Sequence, residues 1–399
     1  MTKTDDEIQI LFSAHKNISY NEEFLKVNMK KVKLEEGEKP GEIALNEMRT
    51  FYKDILTNHF DNLLVLTGSG TSVKIGEGNQ GKTMKELWDC VVIDLGEETV
   101  QSFCGSIKYK EYSKGYSDLE AILSKANLAI NFLEKEDLIF VKDIISKIEK
   151  IIKEQCSIVL PQISPQEVFL KKATSRKLKS PRLKLFTLNY DLLFEQVASR
   201  DGYVVIDGFS FTSPRRFSGV NFDYDIVLRN NSRMANEENY APRVFHLYKP
   251  HGSLDWEKVT DGNNEYVIKN NNVEKPLMIY PRSDKFETSY EEPFFEMMTR
   301  FQQELRKQNI LLIVIGFSFG DKHIKTMILE ALDVNPSINV LVVSPDVCCE
   351  NKYTFLKMKS KSKGNVILIS EKFEDFANNY PYSDIYDVIE DTGDQNDKD

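Results

Sequence analysis

Leu185-Phe-Thr-Leu-Asn-Tyr-Asp191 is a short apolar segment that ends in two polar residues, Asn189 and Asp191. Leu63-Leu-Val-Leu-Thr-Gly-Ser-Gly70 has the same form, with an apolar run that stops at a glycine-rich turn. Such continuous apolar runs are typical of strands buried on both faces of a parallel sheet. Ligands bind at the carboxyl ends of strands in an open α/β sheet, so both turns predict a binding site as well as a fold.

Strand-like and helix-like segments alternate along the rest of the chain, most regularly after Lys184. This alternation predicts βαβ units, and we expect the α/β class, with a Rossmann-like, doubly wound parallel sheet and a helical insertion domain. The predicted strands are residues 63–67, 185–187, 203–207, 244–248, 276–280, 309–315, 338–343 and 366–369. The predicted helices are residues 43–60, 82–92, 191–198, 293–307, 321–332 and 373–380.

Four regions are predicted along the chain. Residues 1–40 show no sustained period and are expected to form an N-terminal arm or an assembly segment. Residues 41–96 and 181–383 form the Rossmann-like domain, and residues 97–180, mostly helical in pattern, form the insertion. Residues 384–399 carry seven acids and one lysine, which predicts a solvated, disordered tail.

The composition excludes several classes of protein. An apolar fraction of 41% and a charged fraction of 29% fit a globular chain of 399 residues. The net charge of −10 argues against general nucleic-acid binding. No window holds the roughly 18 apolar residues of a membrane span. Five scattered cysteines without a recognisable signal peptide predict reduced thiols in the cytoplasm. The basic stretch 171–184 is either a solvated loop or a phosphate contact.

Two glycine-rich segments follow the first strand of the predicted sheet. Gly68-Ser-Gly-Thr-Ser72 lets the backbone approach a phosphate closely, although an ordinary strand-to-helix turn explains it as well. Gly76-Glu-Gly-Asn-Gln-Gly-Lys-Thr83 matches the P-loop pattern, but the clear strand before it ends well upstream, at Thr67. Three interpretations stay open: an ATP-hydrolysing P-loop, a glycine-rich loop in which Lys82 and Thr83 open a helix, and a loop that folds over a bound nucleotide.

Polar residues at strand ends are the candidates for chemistry. Asn189 and Asp191 either cap the next helix or act in a site, and capping explains only one of them. Histidine titrates near neutrality, so His251 suits a general base, although a histidine in a Gly-Ser turn is more often structural.

The later strands end in further candidate contacts. Gly316-Phe-Ser-Phe-Gly-Asp321 is a second glycine-bearing turn that suits phosphate or ribose. Asp346, at the end of the next strand, either holds a ribose hydroxyl or shapes the turn. The cysteine, histidine and aspartate spacings fit neither zinc nor calcium, so no metal site is expected.

Together these motifs resemble the ordered motif set of the sirtuin-like NAD-binding domains. The matching segments are residues 68–72, 187–191, 251–253 and 316–321. The Asn-Tyr-Asp form, with Tyr280-Pro281, is most similar to the sirtuin-like NADases of bacterial antiphage defence, above all to the subunit that partners the HerA ATPase. Further matches to that subunit are residues 81–84, 207–210 and 221–223.

The resemblance implies a role for each matched residue. Asn189 would orient the nicotinamide ribose and the attacking water, His251 would be the general base, and Asp191 would lie beside the ribose or the nicotinamide. The residues that would contact phosphate and ribose are Gly68, Ser69, Gly70, Ser72, Gly316, Ser318 and Asp346.

Two departures from the deacetylating sirtuins narrow the implied activity. The chain lacks a four-cysteine zinc module, and the segment after His251 lacks the signature that grips an acyl-lysine peptide. The resemblance therefore implies hydrolysis of NAD+, as substrate, to nicotinamide and ADP-ribose without a metal.

The resemblance also implies a setting for this activity. It implies an antiphage-defence effector, a HerA-type ATPase as partner and a homo-oligomer, with a dodecamer as one candidate, and no membrane or direct nucleic-acid contact. The alternatives are a non-catalytic sensor of NAD or an ADP-ribose derivative, a P-loop ATPase and a protein deacylase.

Overall fold

A large β-sheet with helices on both faces forms the body of the protein. The computed structural model describes residues 7–58, 60–110, 112, 118–177, 180–228, 240–279 and 291–382. The strands there are β1 (Ile8–Phe12), β2 (Asn17–Tyr20), β3 (Leu25–Val27), β4 (Lys30–Val32), β5 (Asn62–Thr67), β6 (Lys184–Thr187), β7 (Val204–Ile206), β8 (Arg215–Arg216), β9 (Val244–Tyr248), β10 (Trp256–Asp261), β11 (Asn264–Lys269), β12 (Ile310–Ile315), β13 (Ile338–Val343) and β14 (Val366–Ile369). The helices are α1 (Pro40–Leu56), α2 (Met84–Leu95), α3 (Glu97–Ser106), α4 (Leu119–Ala129), α5 (Lys135–Cys156), α6 (Pro165–Ala173), α7 (Leu193–Asp201), α8 (Phe294–Leu305), α9 (Lys322–Val334), α10 (Thr354–Lys363) and α11 (Phe373–Asn379).

The main sheet has eleven strands in the order β4-β3-β2-β1-β14-β13-β12-β5-β6-β9-β7. The seven strands from β14 to β7 run parallel to one another. From β5 the chain first builds β6, β7 and β9 on one side, and later adds β12, β13 and β14 on the other. The gap between β5 and β12 is therefore a topological switch point, the place where open α/β sheets bind ligands. The predicted α/β class with a doubly wound parallel sheet is confirmed.

Alternate residues of the central strands point into two separate cores. Leu64 and Leu66 of β5 pack with α8, α9 and α10 on one face. Leu63 and Val65 pack with α1, α6, α7 and α11 on the other. Because side chains alternate across a strand, a strand covered on both faces must be apolar at every position. All six residues of β12 are buried for this reason.

The N-terminal strands β1 to β4 extend the sheet beyond its parallel part. β1 pairs antiparallel with β14, and β2, β3 and β4 follow as an antiparallel meander. These four strands were not predicted, because they are short and only partly buried.

The insertion between β5 and β6 forms a third core. Its helices α2 to α5 bury residues such as Val91, Ile122 and Ile148, and Tyr190 at the end of β6 packs against this cluster. A small second sheet, in the order β10-β11-β8, takes one strand from before β9 and two from after it, and was not predicted either. The described part of the predicted strand 276–280 has only an isolated bridge, between Gly252 and Met278.

None of the helices in the ranges described is long and apolar enough to cross a membrane. The predicted tail 384–399 lies outside the described residues.

Glycines at the switch point allow the ends of β5 and β12 to touch. Gly68 N donates to Ile315 O and Gly70 N donates to Gly316 O, both at 3.0 Å. A Cβ atom on Gly70 would lie 2.6 Å from Gly316 Cα, and one on Gly68 would lie 2.8 Å from Gly316 O. Gly316 also has φ +63°, which L side chains rarely adopt. The two turns therefore fit together only with glycine at these positions.

Gly316→Ala should lower the free energy of unfolding by about 1–3 kcal/mol from overpacking, in addition to the cost of its positive φ. Gly364→Ala is the matched control, because Gly364 has φ +79° but open space around its missing side chain. Urea unfolding of both variants measures the difference. Equal losses of stability would mean that the contact between the two turns contributes nothing.

Candidate active site

A cleft of about 190 Å³ opens at the carboxyl ends of β5, β6 and β12. The predicted site residues that line it are Gly68, Ser69, Ser72, Asn189, Asp191, His251, Gly316 and Ser318. A larger cavity, of about 320 Å³, lies near Leu63 and Leu311 at the opposite ends of β5 and β12. Part of the basic stretch lines that cavity, including Lys172, Arg176 and Lys177, but none of the candidate catalytic or nucleotide-binding residues does. The cleft at the switch point is therefore the candidate active site.

Asn189 is held by three acceptors from the glycine-rich turn. Its Nδ2 lies 3.0 Å from Gly68 O, 3.2 Å from Thr71 Oγ1 and 2.8 Å from Ser72 Oγ. Because the carbonyl of Gly68 can only accept a hydrogen bond, the side-chain atom of Asn189 that faces it must be the nitrogen. Asn189 lines the cleft, and its Oδ1 makes no hydrogen bond within the described part of the chain, so it is available as an acceptor. Asn189 is therefore not a helix cap.

Asp191 bonds both the start of the next helix and the glycine-rich turn. Its Oδ1 accepts from Leu193 N, the first residue of α7, at 3.2 Å, although the cap position itself is held by Leu192. Its Oδ2 accepts from Ser72 Oγ at 2.6 Å. Asp191 is buried, at 7% exposure, and lines the cleft. Ser72 thus joins Asn189 and Asp191 to the glycine-rich turn.

His251 is paired with a carboxylate that the sequence did not single out. His251 Nε2 lies 2.9 Å from Asp321 Oδ2, and both side chains are almost fully buried. Burial alone would raise the pKa of Asp321, but the hydrogen bond from His251 and those from the amides of His323 and Ile324 outweigh it and lower the pKa. Asp321 is therefore ionised near neutrality and accepts a hydrogen bond from Nε2–H. With Nε2 bonded in this way, Nδ1 is the ring nitrogen that can accept from another group.

The loop that matches the P-loop pattern lines the same cleft but is not a P-loop. It follows a short 3-10 turn and not a strand. Gly81 is pinned against the glycine-rich turn, since its Cβ would lie 1.9 Å from Ser72 O. Thr83 and Glu86 form a capping box that begins α2, as the second interpretation predicted. Lys82 lines the cleft and donates to Asn79 Oδ1 of the same loop at 2.9 Å.

The helical insertion closes the other side of the cleft. Met84, Leu87 and Ile158 present apolar side chains there, together with Cys156. Burial raises the pKa of the Cys156 thiol to about 12. The thiol therefore stays protonated near neutrality and is a poor nucleophile.

Two predicted contacts lie outside the cleft. Gly70 and Asp346 are not among the described residues that line the cleft. Gly70 packs against Gly316, and Asp346 is exposed in the turn after β13, where its carbonyl accepts from Cys349 N and Glu350 N. The segment Tyr280-Pro281 lies outside the described residues.

His246 is a core residue and takes no part in the cleft lining. It is buried in β9, and burial lowers its pKa to about 4. Over the described ranges, no three His, Cys, Asp or Glu side chains are placed to hold a metal ion.

Asp321 and Lys249 are the polar residues that sequence reasoning missed. Asp321 has a visible signal, because it follows a glycine turn and caps α9 through His323 N and Ile324 N. Its contact with His251 spans 70 residues of sequence, so a single chain gives no sign of the pairing. Lys249 is next to the histidine turn, but a lysine there predicts exposure and not the 2% exposure found.

Comparison with known proteins gave a match to one family model and a similarity to one solved structure. The model of the SIR2-like domain family matches residues 184–367, slightly less than half of the chain. Among solved structures, the chain is similar to a mutant of Sir2 homologues in complex with 2'-O-acetyl ADP ribose, at 14% identity and a TM-score of 0.38. That alignment covers 82% of this chain and 93% of the other. The comparison with curated proteins gave no match.

Asp321 has two roles that substitutions can separate. Asp321→Ala should cost about 1 kcal/mol through loss of the helix cap, whereas Asp321→Ser keeps a capping oxygen and should cost less. Both variants remove the partner of His251 Nε2. Side-chain ¹⁵N NMR of His251 should show the Nε2–H tautomer in the unmodified protein and a mixture in both variants. An Nδ1–H tautomer in the unmodified protein would contradict the pairing.

Proposed function

We propose that this protein is an NAD+ hydrolase that cleaves the nicotinamide–ribose bond and releases nicotinamide and ADP-ribose. The observation that carries the proposal is that Asn189 and the His251–Asp321 pair meet in one cleft beside a glycine-rich turn. The match of residues 184–367 to the SIR2-like domain model supports it, because the segment includes all three residues.

The glycine turns supply the features that a dinucleotide requires. The backbone of residues 68–70 approaches Gly316 so closely that no side chain intervenes. Gly68 N and Gly70 N donate within the protein, but the missing side chains let a pyrophosphate come close to the turn and to Ser69, which lines the cleft. Lys82 is a cation in the same cleft, and no carboxylate within the described ranges lies within 4 Å of its ammonium group. We assign these groups to the phosphates of NAD+.

The polar end of the cleft suits the reaction at the ribose. As the C1′–nitrogen bond breaks, nicotinamide leaves with the electron pair and the ribose becomes an oxocarbenium-like cation. The carboxylate of Asp191 would stabilise that charge. Water then attacks C1′, held by Asn189 Oδ1, and its proton passes to the free nitrogen of His251. Asp321 stabilises the imidazolium that forms, as carboxylates do for catalytic histidines.

The biological setting of the proposal rests on the resemblance to defence sirtuins. In that setting the enzyme acts in the cytoplasm as an antiphage effector that depletes NAD+. It assembles into a homo-oligomer and docks onto a HerA-type ATPase.

Asn189→Ala and His251→Ala should each lower the rate of nicotinamide release by about 100-fold or more, because each removes a group that acts on the attacking water. Chromatography of nicotinamide and ADP-ribose, with and without a HerA-type ATPase, measures the rate. His15→Ala is the control, since His15 is exposed and does not line the cleft. The two products should form in equal amounts.

Other outcomes of the same assay point to other functions. Saturable NAD+ binding without products would favour a sensor. Loss of ATP that depends on Lys82 would favour an ATPase. Dependence on an acylated peptide would favour a deacylase. Undiminished cleavage by both alanine variants would place the reaction at another site.

The assembly can be tested separately from the chemistry. Mass photometry of the protein alone should show a homo-oligomer, and addition of the HerA-type ATPase should produce a heavier complex. A monomer that is unchanged by the ATPase would overturn this part of the proposal and leave the reaction untouched.

A further inference from the structure

Lys249 is a buried cation next to the cleft, in the turn after β9. Its Nζ donates to Asp191 O at 2.6 Å and lies 3.3 Å from Tyr190 O. It also lies 3.0 Å from Glu195 Oε1 and 2.8 Å from Ser253 Oγ. An ammonium group has three N–H donors. These acceptors therefore occupy all of its hydrogen-bonding capacity.

The two carbonyls belong to the turn between β6 and α7, where strand pairing has ended and the hydrogen bonds of the helix have not begun. A buried carbonyl group without a donor costs about 1–3 kcal/mol. The same turn carries the side chains of Asn189 and Asp191. The Lys249 ammonium therefore fixes the backbone from which both side chains reach the cleft.

The contact joins this turn to the turn that carries His251. Leu254 N donates to Tyr190 O at 3.1 Å, which adds a second bond across the same contact. Ser253 Oγ accepts from Lys249 and donates to Asp255 Oδ1 at 2.6 Å. The segment on either side of His251 is thus tied to the turn that carries Asn189.

The charge of Lys249 is balanced inside the protein. Glu195, in the first turn of α7, has a side chain only 14% exposed, and burial raises its pKa while Lys249 opposes the shift. Removing one member of a buried ion pair typically costs 3–5 kcal/mol, whereas neutralising both members is tolerated far better. A test must therefore change both residues together.

We propose that Lys249 is a positioning residue, which sets the distance between the amide of Asn189 and the imidazole of His251 by tying their two turns together. The kinetic consequence rests on the proposed function. The structural consequence, a fixed turn between β6 and α7, does not.

The test compares two buried Lys–Glu pairs that lie near opposite ends of β6. Lys249→Met with Glu195→Gln removes the pair beside the cleft and leaves the net charge unchanged. Lys184→Met with Glu304→Gln removes a similarly buried pair at the other end of β6, where Lys184 contacts Glu304. The two double variants carry identical substitutions, and both should lose stability.

Only the Lys249/Glu195 variant should lose activity at a temperature where all the proteins are folded. Its kcat for NAD+ hydrolysis should fall by about 100-fold, because small displacements of reacting groups have effects of that size. Its KM should change little, because the glycine turns that bind the phosphates are untouched. Equal losses of kcat in both double variants, or no loss in the first, would overturn the proposal.

Hydrogen exchange tests whether Lys249 fixes the turn between β6 and α7, and it does not require the protein to be active. Peptides that cover residues 188–193 should exchange about ten-fold faster or more in the Lys249/Glu195 variant, and at the original rate in the Lys184/Glu304 variant. Unchanged exchange in the first variant would overturn the positioning role. If the unmodified protein cleaves no NAD+, the proposed function fails while this measurement still decides the role of Lys249.

Discussion

The contact between the turns that follow β5 and β12 is the constraint on which the site depends. Gly68, Gly70 and Gly316 let two backbones meet where any side chain would collide. The contact joins the two strand ends at the switch point and places both turns in the lining of the cleft. Asn189 then docks onto this turn through Gly68 O and Ser72 Oγ. One close approach of two backbones thus positions both the binding surface and the amide.

The remaining polar groups are organised around this contact in pairs. Ser72 bonds Asp191, and His251 bonds Asp321. In each pair, one partner belongs to a glycine-bearing turn and the other to the end of β6 or β9. The two pairs connect the turns that follow β5, β6, β9 and β12. The helical insertion adds apolar side chains to the lining of the cleft between them. A rigid, partly dry cleft is the kind of environment in which preorganised dipoles act most strongly.

The sequence predicts the parts of this structure that depend on local patterns. Continuous apolar runs identified β5, β12 and β13, because a strand covered on both faces has no polar position. Glycine turns and the polar ends of strands identified most of the cleft. The strands β1 to β4 and the hairpin β10–β11 were missed, since half-exposed strands carry mixed residues and their pairing partners are remote in sequence. The His251–Asp321 pair and the burial of Lys249 depend on tertiary proximity, which no local pattern records.

The four N-terminal strands have a consequence for the behaviour of the chain in solution. β14, with the sequence Val-Ile-Leu-Ile, is fully buried and would be an exposed edge if β1 did not pair with it. Unpaired apolar edges act as templates for other chains and promote aggregation. The sheet instead ends at β4, a three-residue strand with Lys30 and Lys31, both exposed. A short, positively charged edge is a poor template, so the N-terminal segment protects a concentrated protein against edge-to-edge association.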